Sequence, residues 1–258
     1  MHIINDITGK IERAKSLSFG DIFNSSVETF KKVWLQGFVT YVLNVLLIAP
    51  LFIILYIPLI FFGILSPDSF GDDIDLNGVS VTAGILTGLL FLVLLFAASA
   101  LSLGFKAAFY RIIREKDLGL NTSDNYFFFF KKQYLSKTIG LSLSMLGMVL
   151  LSYILCVLPL LYLIVPLYYM TIIYALNPDM SNAEIIQAGF KLGNKKWLLS
   201  FGLLFVSAIL SGIVGFLMCI IGVYVTRQFV DLPCYHIYKE VVGLDEVFAI
   251  DNIETSQE

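Results

Sequence analysis

Charge and histidine are what this sequence has least of. Lysine, arginine, aspartate and glutamate make up only 14% of its 258 residues and hydrophobic residues 58%, whereas soluble domains carry about 25% charged residues. That deficit excludes an ordinary water-soluble domain, because the apolar runs reach the ~20 residues that cross a hydrocarbon core. The two histidines, His2 and His236, are too few for a multi-histidine iron or zinc centre within one chain, so neither a metal site nor a cofactor is expected. Cys156, Cys219 and Cys234 lie in apolar runs without C-x-x-C spacing and read as buried thiols. The G-x-S-x-G, H-E-x-x-H, Walker A and dinucleotide fingerprints are missing. Hydrolases, zincins and NTPases thereby lose their usual anchors, and no enzyme is expected. A net charge of −3 without a dense basic stripe argues against nucleic acid as a partner. Met1 to Gly20 is polar and lacks the apolar centre of a signal peptide, so the first span is expected to serve as its own insertion signal.

What is present is a series of membrane spans entered from amphipathic segments. Ser181 followed by Glu184 predicts a capping box, in which each side chain satisfies a free backbone N–H at a helix start. Ile185, Ile186, Gly189 and Phe190 then share one face, and Asn182, Glu184, Gln187 and Lys191 the other, as in a helix lying at an interface. Gly193 and Asn194 are expected to end it. Asp21 to Trp34 gives a second such surface helix, and Asn121 to Lys132 a third with an aromatic run from Tyr126 to Phe130.

Six spans follow: Gln36 to Leu65 with Pro50 and Pro58, Val81 to Phe105 prolonged by Lys106 to Lys116, Thr138 to Val157, Leu160 to Leu176, Leu198 to Ile221, and Val223 to Tyr238. The expected fold is all-α: a polytopic membrane protein of six transmembrane helices in three hairpins, each preceded by a cytoplasmic interfacial helix. Residues 1–20 form a cytoplasmic segment, 21–242 the membrane domain and 243–258 an acidic cytoplasmic tail. The loop from Ser66 to Ser80 carries Asp68, Asp72, Asp73 and Asp75 and no cation. By the positive-inside rule both termini then face the cytoplasm.

An ungapped internal match supports the count. Asp21 to Phe38 laid over Glu184 to Phe201 pairs Lys32 with Lys195, Trp34 with Trp197 and Phe38 with Phe201. Phe130, Lys131, Lys132, Tyr134 and Leu135 follow the order of Phe30, Lys31, Lys32, Trp34 and Leu35. Lys31, Lys32, Trp34, Lys131, Lys132, Tyr134, Lys195, Lys196 and Trp197 are therefore the expected interfacial anchors, cations at headgroup level beside amphipathic rings.

Arg227 and Asp231 demand explanation, since a charge at the bilayer centre costs roughly 2.5–3.5 kcal/mol. Four residues apart, they would share one face of an α-helix and pair. Pro233 would free the carbonyl of Phe229 in the same turn. With His236, and with Asn44 from the first span, they form the candidate intramembrane polar site, read either as a ligand site or as a neutralised structural pair.

The run from Leu158 through Val242 resembles a bacterial family that includes the membrane domain of glycerophosphoryl diester phosphodiesterases and related six-helix inner-membrane proteins. The resemblance is carried by Pro159 with Leu160 to Tyr169, Asn182-Ala183-Glu184-Ile185-Ile186 before Gly189-Phe190-Lys191-Leu192-Gly193, Trp197, Pro233 and Tyr238. It implies a six-helix membrane fold without an activity of its own, the phosphodiesterase activity in that family belonging to a separate soluble domain. The expected function is a non-catalytic membrane protein that organises lipid or supports a membrane complex, with membrane lipids and other membrane proteins as partners. A transporter or channel using Arg227 and Asp231 is the alternative.

Overall fold

A computed structural model describes residues 2–61, 81–120, 123–155, 157–218 and 221–244. The aspartate-rich segment at 66–80, the acidic tail from 245 onward, Cys156 and Cys219 lie outside the described residues. All regular structure among those described is helical: α1 (His2–Glu12), α2 (Phe19–Phe61), α3 (Val81–Asp117), a 3-10 turn (Phe128–Phe130), α4 (Lys132–Ile154), α5 (Leu158–Leu176), α6 (Asn182–Lys195), α7 (Trp197–Leu217), α8 (Ile221–Thr226), a 3-10 segment (Arg227–Asp231) and α9 (Leu232–Val242). Helices α2, α3, α4, α5 and α7 are long and apolar enough to cross a membrane. The protein is an all-α, membrane-embedded chain.

Helix α2 runs unbroken for 43 residues, about 64 Å at 1.5 Å per residue. The surface helix expected at Asp21 to Trp34 and the span after it are one rod, because nothing between them stops a helix: Gly37 alone costs only about 1 kcal/mol. α3 is 37 residues long and includes the expected prolongation past Lys106.

The two long helices pass through two different environments. In α2, Ile22 and Val33 are buried, whereas Leu46, Ile53, Ile57 and Ile60 face outward; in α3, Leu103, Phe105, Phe109 and Ile113 are buried, whereas Ile85, Leu89 and Val93 face outward. The buried halves join α5, α6 and α9 in one core that includes Tyr110, Tyr169, Tyr174, Tyr235 and Tyr238. Aliphatic surface open to hydrocarbon needs no protein partner, so the outer halves can stay uncovered.

The capping box at Ser181 and Glu184 is formed as predicted. The face it sets up meets protein rather than lipid: Ile185, Ala188, Gly189, Leu192 and Gly193 are buried. A Cβ on Gly189 would lie 2.5 Å from Met170 Cγ, and one on Gly193 2.9 Å from Pro166 Cγ. Gly193 thus serves close approach to α5 and does not end the helix, which continues to Lys195.

Among the described residues 123–131 the third surface helix is absent. Consecutive aromatics from Tyr126 to Phe130 have no 3.6-residue period to gather onto one face, and the chain distributes the rings around a 3-10 turn. Phe129 is buried against Tyr174 with ring centroids 4.8 Å apart, Phe130 lies 4.9 Å from Phe105, and Phe128 stacks on Tyr134 at 4.9 Å.

Residues 1–20, read only as a polar segment, contain an amphipathic helix. Ile4, Ile7 and Ile11 recur at helical spacing and are buried. α1 packs on α6 and α9. Lys191 Nζ meets Glu12 Oε1 at 2.5 Å, Lys195 Nζ donates to the Glu12 carbonyl at 3.2 Å, and Lys196 Nζ donates to the Lys15 carbonyl. Lys195 thereby satisfies a carbonyl that the terminus of α1 leaves free.

Candidate functional site

The expected sixth span is divided, and its division decides the geometry of the polar site. Arg227–Asp231 is a 3-10 segment between α8 and α9. Four residues advance about 400° in an α-helix but about 480° at three residues per turn, so Arg227 and Asp231 point some 120° apart instead of 40°. The expected pair is therefore corrected: Asp231 Oδ1 meets Lys106 Nζ from α3 at 2.9 Å. Among the described residues Arg227 makes no ion pair and is exposed. The Phe229 carbonyl is not left free either, since it accepts from the Leu232 N–H.

Three of the four polar residues singled out in the sequence do meet. Asn44, Arg227 and Asp231 line one cavity of about 500 Å³ together with Thr40, Ser102, Lys106, Tyr168 and Gln228. Asn44 Oδ1 is buried there without a hydrogen-bond partner among the described residues. His236 is elsewhere, buried in α9 with its Nε2 3.0 Å from Thr29 Oγ1 of α2.

Lys106 is the member that sequence reasoning missed. It follows the last apolar residue of its run and reads as the first residue back in water. In the fold it stands between two hollows. On one side its ammonium holds Asp231; on the other it lies 4.0 Å above the centre of the Tyr168 ring. Such a cation–π contact is worth about 0.5–2 kcal/mol. Beyond Tyr168 is a second cavity of about 340 Å³, lined by Met145, Leu146, Val149, Ile164 and Leu167 and sharing Ser102, Lys106 and Tyr168 with the first.

Asp231 is further fixed through its backbone carbonyl, which accepts from Tyr110 at 3.3 Å. Next along the chain, Cys234 is a buried free thiol. One turn on, Tyr235 and Lys239 both donate to Asp117 Oδ2, at 3.0 and 2.7 Å, clamping α9 to the end of α3.

The expected anchors divide into two groups. Lys31, Lys32, Lys131, Lys132 and Lys195 are exposed, and Trp34 is 45% exposed. Lys196 is buried with its Nζ on the Lys15 carbonyl, and Tyr134 is half-buried on Phe128, so neither stands free as an anchor. Trp197 donates its indole N–H to the Tyr162 carbonyl at 3.1 Å and stacks on Phe201 at 4.8 Å. Tyr162 lies four residues before Pro166, which has no N–H to give it; the indole takes the place of that missing donor.

The chain matches no family model, no curated protein and no solved structure.

Proposed function

We propose that the chain is a non-catalytic integral membrane protein of a bacterial inner membrane that organises lipid or supports a membrane complex. Exposed cations at the point where outgoing helices turn apolar carry this reading. Lys31 and Lys32 precede Trp34 and Leu35, Lys131 and Lys132 precede Leu135, and Lys195 precedes Leu198, with each of these apolar side chains at least 40% exposed. A cation beside an outward apolar side chain suits the boundary between headgroups and hydrocarbon.

Six crossings with cytoplasmic termini fit the same reading. α8, the 3-10 segment and α9 follow one another without a break, with a contour of about 35 Å against a core of about 30 Å. The resemblance of the last hundred residues to the phosphodiesterase membrane-domain family agrees with that count. Reporter fusions within 66–80 are expected to be external, and a cytosolic signal there would reverse the orientation.

The functional test replaces Lys31, Lys32, Lys131, Lys132 and Lys195 together by glutamine and measures the lipids that co-purify in mild detergent. Salt-sensitive enrichment of anionic lipid is expected to disappear. Unchanged enrichment would overturn the reading.

A second reading, a small-solute transporter, is favoured by the cavity between α2, α3 and the Arg227–Asp231 segment. It requires that replacing Arg227 and Asp231 by leucine abolish flux in folded protein, and undiminished flux would remove it.

A further inference from the structure

We infer that the two cavities beside Lys106 together hold one anionic glycerophospholipid, its phosphodiester and headgroup hydroxyls in the polar cavity and one acyl chain in the apolar one. The inference rests on the lipid-organising reading and names the lipid. It begins from the shared wall: Ser102, Lys106 and Tyr168 border both hollows. A molecule that straddles them must be polar at one end and a hydrocarbon chain at the other, since Met145, Leu146, Val149, Ile164 and Leu167 line the second with apolar surface.

Charge selects the headgroup. Lys106 and Asp231 cancel at 2.9 Å. Arg227 is left as a cation without an ion pair among the described residues, so the polar cavity carries a net charge of about +1, suited to a single phosphodiester. An amine-bearing zwitterionic lipid would bring a second cation to a cavity whose one carboxylate already holds Lys106. Thr40, Ser102 and Gln228 also line the polar cavity, and a glycerol headgroup brings hydroxyls that can both donate to and accept from such side chains. A phosphatidylglycerol-type lipid meets each of these demands: one negative charge, hydroxyl donors and an acyl chain.

The full-length protein in mild detergent, titrated with phosphatidylglycerol and phosphatidylethanolamine of identical acyl chains and read by native mass spectrometry, tests the assignment. Wild type should retain one phosphatidylglycerol at about tenfold lower concentration than phosphatidylethanolamine. Arg227→Leu should abolish that preference, while Arg227→Lys, which keeps the charge, should retain most of it. Leu146→Trp, which fills the apolar hollow, should weaken both lipids. Inorganic phosphate should not displace the lipid; displacement of the lipid by phosphate with no effect of Leu146→Trp would make the ligand a free anion and overturn the inference. Equal retention of the two lipids, or an unchanged preference in Arg227→Leu, would overturn it as well. Absence of the anionic preference in wild type alongside intact lysine-dependent enrichment would sink the inference and leave the broader reading standing; failure of wild type to retain any lipid would sink both.

Discussion

The same two helices, α2 and α3, are built in two ways along their length. Toward Phe19 and Asp117 their side chains are buried among tyrosines and clamped by Asp117 with Tyr235 and Lys239, and a Cβ on Gly37 of α2 would lie 3.1 Å from the Phe109 ring of α3. Toward Phe61 and Val81 they present isoleucine, leucine and phenylalanine outward, with Leu46 and Val93 each 63% exposed. The packed end depends on shape, because its neighbours are protein and cannot flow around an error. The open end depends only on being apolar, because lipid accommodates any aliphatic outline. A substitution of given size should therefore cost stability at one end and almost none at the other.

The largest effect is expected where α6 meets α5. Gly189→Leu pushes a side chain into Met170, whose Cγ lies 2.5 Å from the Cβ position. It should lower stability in detergent by about 4 kcal/mol, read from thermal unfolding. Leu92→Ala, on the outward face of α3, should stay within about 0.5 kcal/mol. Equal effects at the two sites would erase the contrast between the two ends.

Next comes the boundary between the ends, at Lys106. Asp231→Leu strands an ammonium that is about one-third exposed against the Tyr168 ring, and should cost about 3 kcal/mol. Removing both charges in Lys106→Met with Asp231→Leu should recover most of that loss. A double variant as unstable as the single one would show that Asp231 acts through something other than Lys106.

A smaller loss, about 1 kcal/mol, is expected for Trp197→Phe, which keeps the stack on Phe201 but withdraws the donor from the Tyr162 carbonyl. An unchanged melting temperature would mean that water or lipid serves that carbonyl equally well.

The smallest effect is confined to α1. Lys191, by hydrogen bond and by charge, holds the Glu12 carboxyl below its ordinary value of 4.5. A carboxylate with a lowered value stabilises the docked helix fully above the ordinary range and loses that contribution as pH falls through the lowered one. Amide protection in α1, corrected for the intrinsic exchange rate at each pH, should therefore fall on acidification within that window, and Glu12→Gln should flatten the profile. A profile that survives the substitution would assign the sensitivity to another group.

Sequence periodicity made most of the helices legible, and it did so for physical reasons that also mark where it stopped. The capping box at Ser181 and Glu184 is a local exchange of hydrogen bonds and needed no tertiary information. Ile4, Ile7 and Ile11 carried the same kind of signal inside a segment that polarity alone had set aside. The direction of the amphipathic face of α6 was visible, but not that α5 covers it, because a glycine packed on proline and a glycine ending a helix look alike in one dimension. The polar site was legible as a set of expensive residues, and Asn44, Arg227 and Asp231 do converge. Its pairing was not legible, since the i, i+4 rule presumes α-helical winding and the chain winds as a 3-10 segment there. Lys106 escaped notice because it ends a long apolar run and is followed within five and eight residues by Arg111 and Arg114, and only packing places it opposite a carboxylate 125 residues away.

The seat of α1 has a temporal consequence. Its partners are α6 and α9, so the helix nearest the start of the chain cannot settle until some of the last residues have been made and brought back to the same side of the lipid. Until then Ile4, Ile7 and Ile11 lack the protein surface that buries them. Closure of this short helix over the lysines at 191, 195 and 196 would mark, within a single molecule, that α6 and α9 have come together.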